Sequence, residues 1–411
     1  MHAADIHLDS PLRGLEAYDG APVEEIRGAT RRAFENLVQT AIDREVAFVV
    51  IAGDLYDGEW RDANTGLHMV DQFARLRRSG IGVYLIHGNH DAHNRMTRKL
   101  PMPENVHVFG HGEPETLTHP ALPVVFHGQS YVQRDVTENL AANYPEAVPG
   151  KFNIGLLHTA LAGREGHAPY APCSVDDLLT KRYDYWALGH VHVREVVHED
   201  PWILFSGNLQ GRHIRETGPK GATLVTVVDG TVEAVEPLEL DVFRWAQVTV
   251  PLNEVQNRPE AVVHIADTVS EEASQHGSRP LAVRVELTGV SVAHEELRRH
   301  ESELLDDVRA SLLDVGSTAV WLQQLSLKTR SAKNLESLKH NPALGELLDN
   351  LRSPENRTRL QEALHQELTL LLAKLPTEVR DALSLGHAGS EEEQDWESLL
   401  LPLLLEAEGR P

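Results

Sequence analysis

One cysteine, Cys173, is all that the 411-residue chain carries. An internal disulfide is therefore excluded, and so is a structural zinc site closed by thiolates. No apolar run approaches the roughly 20 residues that a membrane span needs. The first residues have neither the basic region nor the apolar stretch of a secretory signal. Together these absences describe a reduced chain with no membrane segment, and the cytoplasm is the expected compartment. Positive charge is also scarce: 38 Lys and Arg face 62 Asp and Glu, for a net charge of −24. A surface of that sign repels polyanions such as DNA at long range. Any nucleic-acid reading must then name local basic groups, bound cations or a basic partner. Histidine, in contrast, is plentiful at 23 residues, and it is the commonest metal-binding side chain.

The length suggests two or three domains at roughly 100–200 residues each. Up to about residue 240, strand-like and helix-like segments alternate. Residues 24–45 place Ile26, Ala29, Ala33, Phe34, Leu37, Val38, Ala41 and Ile42 on one helical stripe. "VAFVVIA" (46–52) follows as a buried strand. A second helix is expected over 62–79, ended by Gly80. "IGVYLI" (81–86), "VVF" (124–126), "FNIGLL" (152–157), "DYWAL" (184–188) and "WILF" (202–205) continue the strands, and 222–238 reads as a hairpin turning at Asp229-Gly230. The alternation predicts an α/β core for residues 1–240 with a second sheet. Residues 241–330 read as a small α+β domain with strands at 243–252 and 281–289 and a helix over 295–313. Residues 331–411 have almost no strand signal and carry fifteen acidic against eight basic side chains. Leu360, Ala363, Leu364, Leu368, Leu371, Leu372 and Leu375 recur there at helical spacing, so a helical C-terminal region is expected. Pro402 argues against one unbroken helix at the end.

Each apolar run of the first part ends in a side chain that binds metals. The opening "MHAADIH" ends at Asp5 and His7, "VVIAGD" at Asp54, and "YLIHGNHD" at Asn89, His90 and Asp91. "IGLLH" ends at His158, and "WALGHVH" at His190 and His192. In open α/β sheets, ligands gather beyond the carboxyl ends of the strands. Taken singly, each of these is a common turn or a hydrogen-bonded histidine; taken together, five strand ends converge on one cleft. Carboxylate, imidazole and amide donors suit manganese, iron or zinc. One aspartate can bridge two such ions about 3.5–4 Å apart, an arrangement that hydrolyses phosphate esters.

The order Asp-x-His, Gly-Asp-x-x-Asp, Gly-Asn-His-Asp, a lone His, then Gly-His-x-His resembles the calcineurin-like metallophosphoesterases over residues 5–192. The resemblance implies a four-layer α/β/β/α sandwich. It also implies two divalent ions, Mn2+ foremost and Fe2+ or Zn2+ as alternatives. By motif, Asp5, His7 and His192 would hold the first ion, Asn89, His158 and His190 the second, and Asp54 would bridge them. His90 would face the substrate and stabilise or protonate the leaving oxygen, with Asp91 orienting it. A metal-bridging hydroxide would attack phosphorus in line.

Protein phosphatases of this superfamily read Gly-Asp-x-x-Asp-Arg-Gly and Gly-Asn-His-Glu. Here Gly58 follows Asp57, and Asp91 stands where the glutamate would be. "HAADIHLDSPLRGL" (2–15) and "FSGNLQGRHIRETGPKGATLV" (205–225) instead resemble the YhaO branch of SbcD-type DNA-repair exonucleases. That branch implies a capping domain at 241–330, a helical region at 331–411 and a coiled-coil ABC ATPase (SbcC-like) as partner. The apolar residues of the tail read either as packing on each other or on the cap, or as a helix that binds the ATPase. Relatives often form a homodimer. Some eukaryotic relatives carry a histidine where Asp57 stands, so that histidine's role does not transfer. Arg95, Arg98, Lys99, Arg212, His213 and Arg215 flank the motifs and are the expected DNA-phosphate contacts. The alternatives to a DNA exonuclease are a phosphodiesterase acting on a small nucleotide, and a DNA-end-binding subunit with vestigial activity. Relatives usually have more apolar residues before the first aspartate. Either the true start lies upstream, or a short first strand gives a weakened anchor beneath the first ion.

Overall fold

The computed structural model describes residues 1–10, 28–57, 63–93, 101–161, 170–313 and 319–332. The chain begins with β1 (His2–Ala3), then α1 (Ala29–Asp43), β2 (Phe48–Ala52), α2 (Ala63–Arg78) and β3 (Gly82–Ile86). β4 (Val106–Val108), β5 (Glu115–Thr118), β6 (Val124–Gly128) and β7 (Phe152–His158) follow. Next come α3 (Val175–Leu179), β8 (Tyr185–Gly189), β9 (Glu195–Glu199), β10 (Trp202–Phe205), β11 (Gly221–Val228) and β12 (Thr231–Glu239). The remainder is β13 (Arg244–Pro251), α4 (Arg258–Ser274), β14 (Leu281–Thr288), β15 (Val290–Ser291), α5 (His294–Arg299), α6 (Glu301–Leu312), β16 (Val320–Leu327) and β17 (Arg330–Ser331). The architecture is mixed α/β. No helix among the described residues is long and apolar enough to cross a membrane.

Two six-stranded sheets dominate, ordered β12-β11-β1-β2-β3-β4 and β5-β6-β7-β8-β10-β9. β1, β2, β3 and β4 run parallel in the first, and β6, β7, β8 and β10 run parallel in the second. Period-2 alternation gives each sheet two apolar faces. One face of the first sheet packs on α1 and α2 through Phe34, Leu37, Phe73, Val49, Ile51 and Leu85. The inner faces meet through Val50, Tyr84, Phe126, Ile154 and Leu204. There the Tyr84 and Phe126 rings stack at 3.8 Å between centroids. His2 adds a polar tie between the sheets: its Nδ1 lies 2.9 Å from the Tyr185 hydroxyl and its Nε2 3.2 Å from the Leu188 carbonyl oxygen. The outer face of the second sheet is covered by Tyr131, Leu140, Tyr144, Leu178 and Tyr183. Among the described residues, this covering layer is loops, a single turn at Leu140–Asn143 and the five-residue α3. Replacing the fully buried Phe126 with alanine empties the contact between the sheets and is expected to cost about 3–5 kcal/mol of stability. Urea unfolding measures this, and a loss below about 1 kcal/mol would show that the sheets are not packed there.

The expected hairpin forms as β11 and β12, with Asp229 at φ 51° and Gly230 at φ 78°. Both central residues are left-handed, which matches the twist of the flanking strands. The single helix expected over 295–313 is instead two, because His300 leaves the helical region at φ −117° and ψ 35°. Its ring Nδ1 sits 3.0 Å from Glu303 Oε1, a local bond that competes with helix continuation.

The contacts divide the chain into two compact units. The first comprises Met1–Pro251, Pro259–Leu287 and His300–Lys328. It therefore holds both large sheets and also the three-stranded sheet β13-β14-β16, in which β14 and β16 are parallel. The second comprises Leu252–Arg258, Thr288–Arg299 and Thr329–Pro411. Its described part includes the parallel β15–β17 ladder with α5, tied by His294 Nδ1 at 2.8 Å from Thr329 Oγ1. The helical tail expected at 331–411 lies outside the described residues from 333 onward.

Candidate metal centre

The carboxyl ends of β1, β2, β3, β7 and β8 meet where the two sheets abut. The loops after β1 and β2 run side by side, with the Asp5 N–H donating to the Gly53 carbonyl and the His7 N–H to the Asp54 carbonyl, both at 3.0 Å. Asp5, His7, Asp54 and His190 all have positive φ (50°, 46°, 52° and 97°). Non-glycine residues adopt that conformation at a cost, and such strain collects at functional sites. Gly88 is required for a different reason: a Cβ there would overlap the Asp54 carboxylate and crowd the His158 ring.

Asp5, His7 and His192 each bring a donor atom to a common point, all within 4.8 Å of one another. Asp5, Asp54 and His158 form a second such set. His7 Nε2 is 3.2 Å from His192 Nε2 and 3.9 Å from Asp54 Oδ2. His158 Nε2 is 3.4 Å from Asp54 Oδ2 and 2.9 Å from Asn89 Oδ1. His158 is held from behind, its Nδ1 2.9 Å from the Ala52 carbonyl and its own carbonyl accepting from the Tyr131 hydroxyl at 2.7 Å. The His190 ring lies edge-on to His158 at 5.2 Å, and its backbone N–H is held by both oxygens of Asp5 at 3.1 and 3.0 Å. The donor set is carboxylate, imidazole and amide, all hard to borderline, and it suits a divalent cation. The fully buried His7 points its Nε2 at His192 Nε2, 3.2 Å away, two ring nitrogens turned toward one point that a shared cation would occupy.

His90 sits beside these sets. Its backbone N–H donates to Asp54 Oδ1 at 2.9 Å, and its ring Nδ1 lies 2.7 Å from Asp57 Oδ1. Asp57 is in turn braced by the Ser10 hydroxyl at 2.6 Å, with Arg212 Nη1 3.8 Å away. The expected pairing of Asp91 with His90 is not formed. The Asp91 carboxylate turns inward and accepts from the backbone N–H groups of Leu55, Tyr56 and Gly88 at 3.1, 2.9 and 3.1 Å. It staples the β2 and β3 loops, and Asp57 takes the place beside the histidine. Asp57 is the second aspartate of Gly-Asp-x-x-Asp, so the signal was present in the motif.

Electrostatics follow the same arrangement. Burial opposes charge on Asp54, but the imidazoles of His158, His7 and His90 outweigh it and hold its carboxyl well below the usual range. The same contact acts on His158: burial disfavours its cation, and Asp54 overrides this and lifts it to about 9. Burial and the Asp54 charge push Asp91 up to about 7. For Asp57, burial is overcome by the His90 and Ser10 hydrogen bonds, which bring it down to about 2.

Of the expected phosphate contacts, Arg212 lies at the cluster, 13% exposed, while His213 is 44% exposed and Arg215 is exposed. Arg95, Arg98 and Lys99 fall outside the described residues. Sequence reasoning missed Glu216, whose Oε1 lies 2.6 Å from His192 Nδ1.

A family model described as calcineurin-like phosphoesterase matches residues 1–194, and one described as metallophosphoesterase YhaO, middle domain, matches residues 245–330. The chain is 36% identical over 358 residues to the metallophosphoesterase YhaO of Bacillus subtilis (strain 168), covering 85% of this chain and 86% of that one. The chain belongs to the calcineurin-like metallophosphoesterases, in the YhaO branch. More distant relatives of this phosphoesterase are DNA double-strand break repair proteins Mre11. That of Sulfurisphaera tokodaii is 25% identical over 295 residues, covering 66% of this chain and 70% of the relative. That of Sulfolobus acidocaldarius is 21% identical over 389 residues, covering 88% and 92%. Membership makes the chain a metal-dependent phosphoesterase, a family that works with divalent ions.

A cavity of about 960 Å³ opens at the other end of the strands, lined by Phe48, Val50, Phe152, Tyr185 and Leu224 among others. Its lining is mostly apolar and none of the clustered donors reaches it, so the chemistry belongs to the carboxyl ends.

Proposed function

We propose that this phosphoesterase is a dimetal DNA-repair nuclease that hydrolyses phosphodiesters exonucleolytically, from DNA ends. The observation that carries the proposal is the convergence of Asp5, His7, Asp54, His158 and His192 at the strand ends, in a chain whose relatives include Mre11 DNA-repair proteins. In this reading Asp5, His7 and His192 would hold one ion and Asn89, His158 and His190 the other, with Asp54 placed to serve both. When bound, the ions, proposed as Mn2+, supply Lewis acidity, activating water and neutralising phosphate charge. His90, anchored through Nδ1 to Asp57, offers Nε2 to the leaving oxygen, stabilising or protonating it. Two bound ions would bring about four positive charges to the cleft, against the long-range repulsion of an acidic protein. With DNA as substrate, the proposed compartment is the cytoplasm. The SbcD-type resemblance extends the proposal to a homodimer, a capping role for 241–330 and an SbcC-like ATPase partner.

The test sets end-labelled duplex DNA beside bis-p-nitrophenyl phosphate, with manganese. Release of label is expected. Activity confined to the small ester would replace the nuclease with a phosphodiesterase of small nucleotides.

A pH dependence follows from the same site. Without metal, Asp54 keeps a proton on His158 up to about pH 9, and a ligand must shed its proton. The raised value means that the proton is present at neutrality and is lost only near pH 9. Manganese affinity is therefore expected to rise about tenfold per pH unit toward that value, with one proton released per ion at this position. Calorimetry in buffers of differing ionisation enthalpy reads the proton, and a pH-independent affinity would remove His158 from the ligand set.

A further inference from the structure

We infer that Glu216 is a positioning residue for the metal centre: it fixes the tautomer and direction of His192. The inference rests on the ligand role proposed above for His192. Glu216 is only 5% exposed, and a buried carboxylate must be compensated by hydrogen bonds or charge. Its two oxygens divide the work. Oε2 accepts from the Asn208 side-chain amide at 2.9 Å and from the Arg212 backbone N–H at 2.7 Å. Oε1 faces His192 Nδ1 at 2.6 Å, with Arg212 Nη2 at 3.3 Å and His213 Nε2 at 3.4 Å.

A ring nitrogen that close to a carboxylate oxygen carries the proton. The lone pair of His192 is then on Nε2, the atom that lies 3.2 Å from His7 Nε2 and 3.9 Å from Asp5 Oδ1. A competing influence is present, since Arg212 Nη2 is only 3.3 Å from the same Nδ1. A guanidinium acting alone there would favour an unprotonated Nδ1 and so a protonated, non-coordinating Nε2. Glu216 decides the competition, and the hydrogen bond behind a histidine ligand is what sets its tautomer.

The carboxylate is held in place by a loop fixed to β13. The Gln210 side chain donates to the Phe243 carbonyl at 2.7 Å and accepts from the Val242 N–H at 3.0 Å. The Trp245 indole N–H donates to the Gly211 carbonyl at 3.0 Å, and the Gln247 amide to the Ile214 carbonyl at 3.1 Å. The first strand of the 241–330 segment therefore holds the loop that holds His192.

The conservative test is Glu216→Gln in the full chain. To satisfy Asn208 and the Arg212 N–H, the glutamine must place its oxygen at the Oε2 position. Its NH2 then faces Nδ1 and imposes the wrong tautomer. By equilibrium dialysis with manganese alone, the affinity of one ion is expected to fall about 10–100-fold while the other ion is unaffected. Glu216→Asp keeps an acceptor and is expected to recover most of that loss. The tautomer is read independently of any variant by 15N spectra of histidine-labelled, metal-free wild-type protein at about pH 8, with His192→Ala assigning the signal. Protonated Nδ1 is expected. An Nε2–H tautomer in the wild type, wild-type affinity in E216Q, or equal losses in E216Q and E216D would each overturn the role of Glu216. If His192→Ala itself binds both ions as the wild type does, the ligand assignment fails. If it loses one ion and E216Q loses none, only the Glu216 inference fails.

Discussion

Replacing His90 with alanine is expected to lower phosphodiester cleavage about 10²–10⁴-fold, the range for removing a positioned general acid, while manganese still binds. The separation follows from geometry. The His90 ring is tied to Asp57 at 2.7 Å, whereas the bond from residue 90 to the cluster runs from its backbone N–H to Asp54 at 2.9 Å. Alanine keeps that backbone bond and removes only the ring. The hydrogen bond and charge of Asp57 also raise the pKa of the imidazole against the opposing effect of burial, the direction that favours a proton donor. Turnover of bis-p-nitrophenyl phosphate beside manganese dialysis measures both quantities. Unchanged turnover would remove His90 from the chemistry, and lost metal binding would make it part of the metal cradle.

Asp54→Asn is expected to weaken both ions by about 100-fold or more, beyond what a supporting residue contributes. Asn is close to isosteric, and its oxygen can still accept the His90 N–H. What disappears is a buried charge that lies 3.4 Å from His158 and 3.9 Å from His7. Those imidazoles belong to the two different donor sets, so one substitution reaches both. With the charge gone, His158 also loses the partner that raises its pKa, and burial then favours its neutral form. Dialysis that counts ions per chain distinguishes the outcomes: loss of a single ion would show that Asp54 serves one position only.

Much of the candidate site was legible because it lies on local patterns. An apolar run followed by Gly-Asp or Gly-Asn-His-Asp declares a buried strand and its carboxyl end, and parallel strands place such ends together. The hairpin at Asp229-Gly230 was readable for the same reason, since the turn chemistry sits in two adjacent residues. The partner of His90 was not, because it depends on side-chain direction. Asp91 is adjacent in sequence, yet its carboxylate satisfies three backbone N–H groups, and Asp57, on another loop, reaches the ring. Glu216 was hidden in another way. It is 24 residues beyond His192, in a loop whose path is set by Gln210, Trp245 and Gln247 against β13. No periodicity records a contact of that kind. The break at His300 was lost because the apolar stripe continues through it, while the local bond to Glu303 does not register in the pattern.

The most direct measurement titrates metal-stripped protein with manganese while counting bound ions and cleavage of end-labelled duplex DNA in the same samples. A dinuclear nuclease predicts two ions per chain, with cleavage rising as the second binds. Full cleavage at one ion per chain, or two bound ions with no release of label, would contradict it.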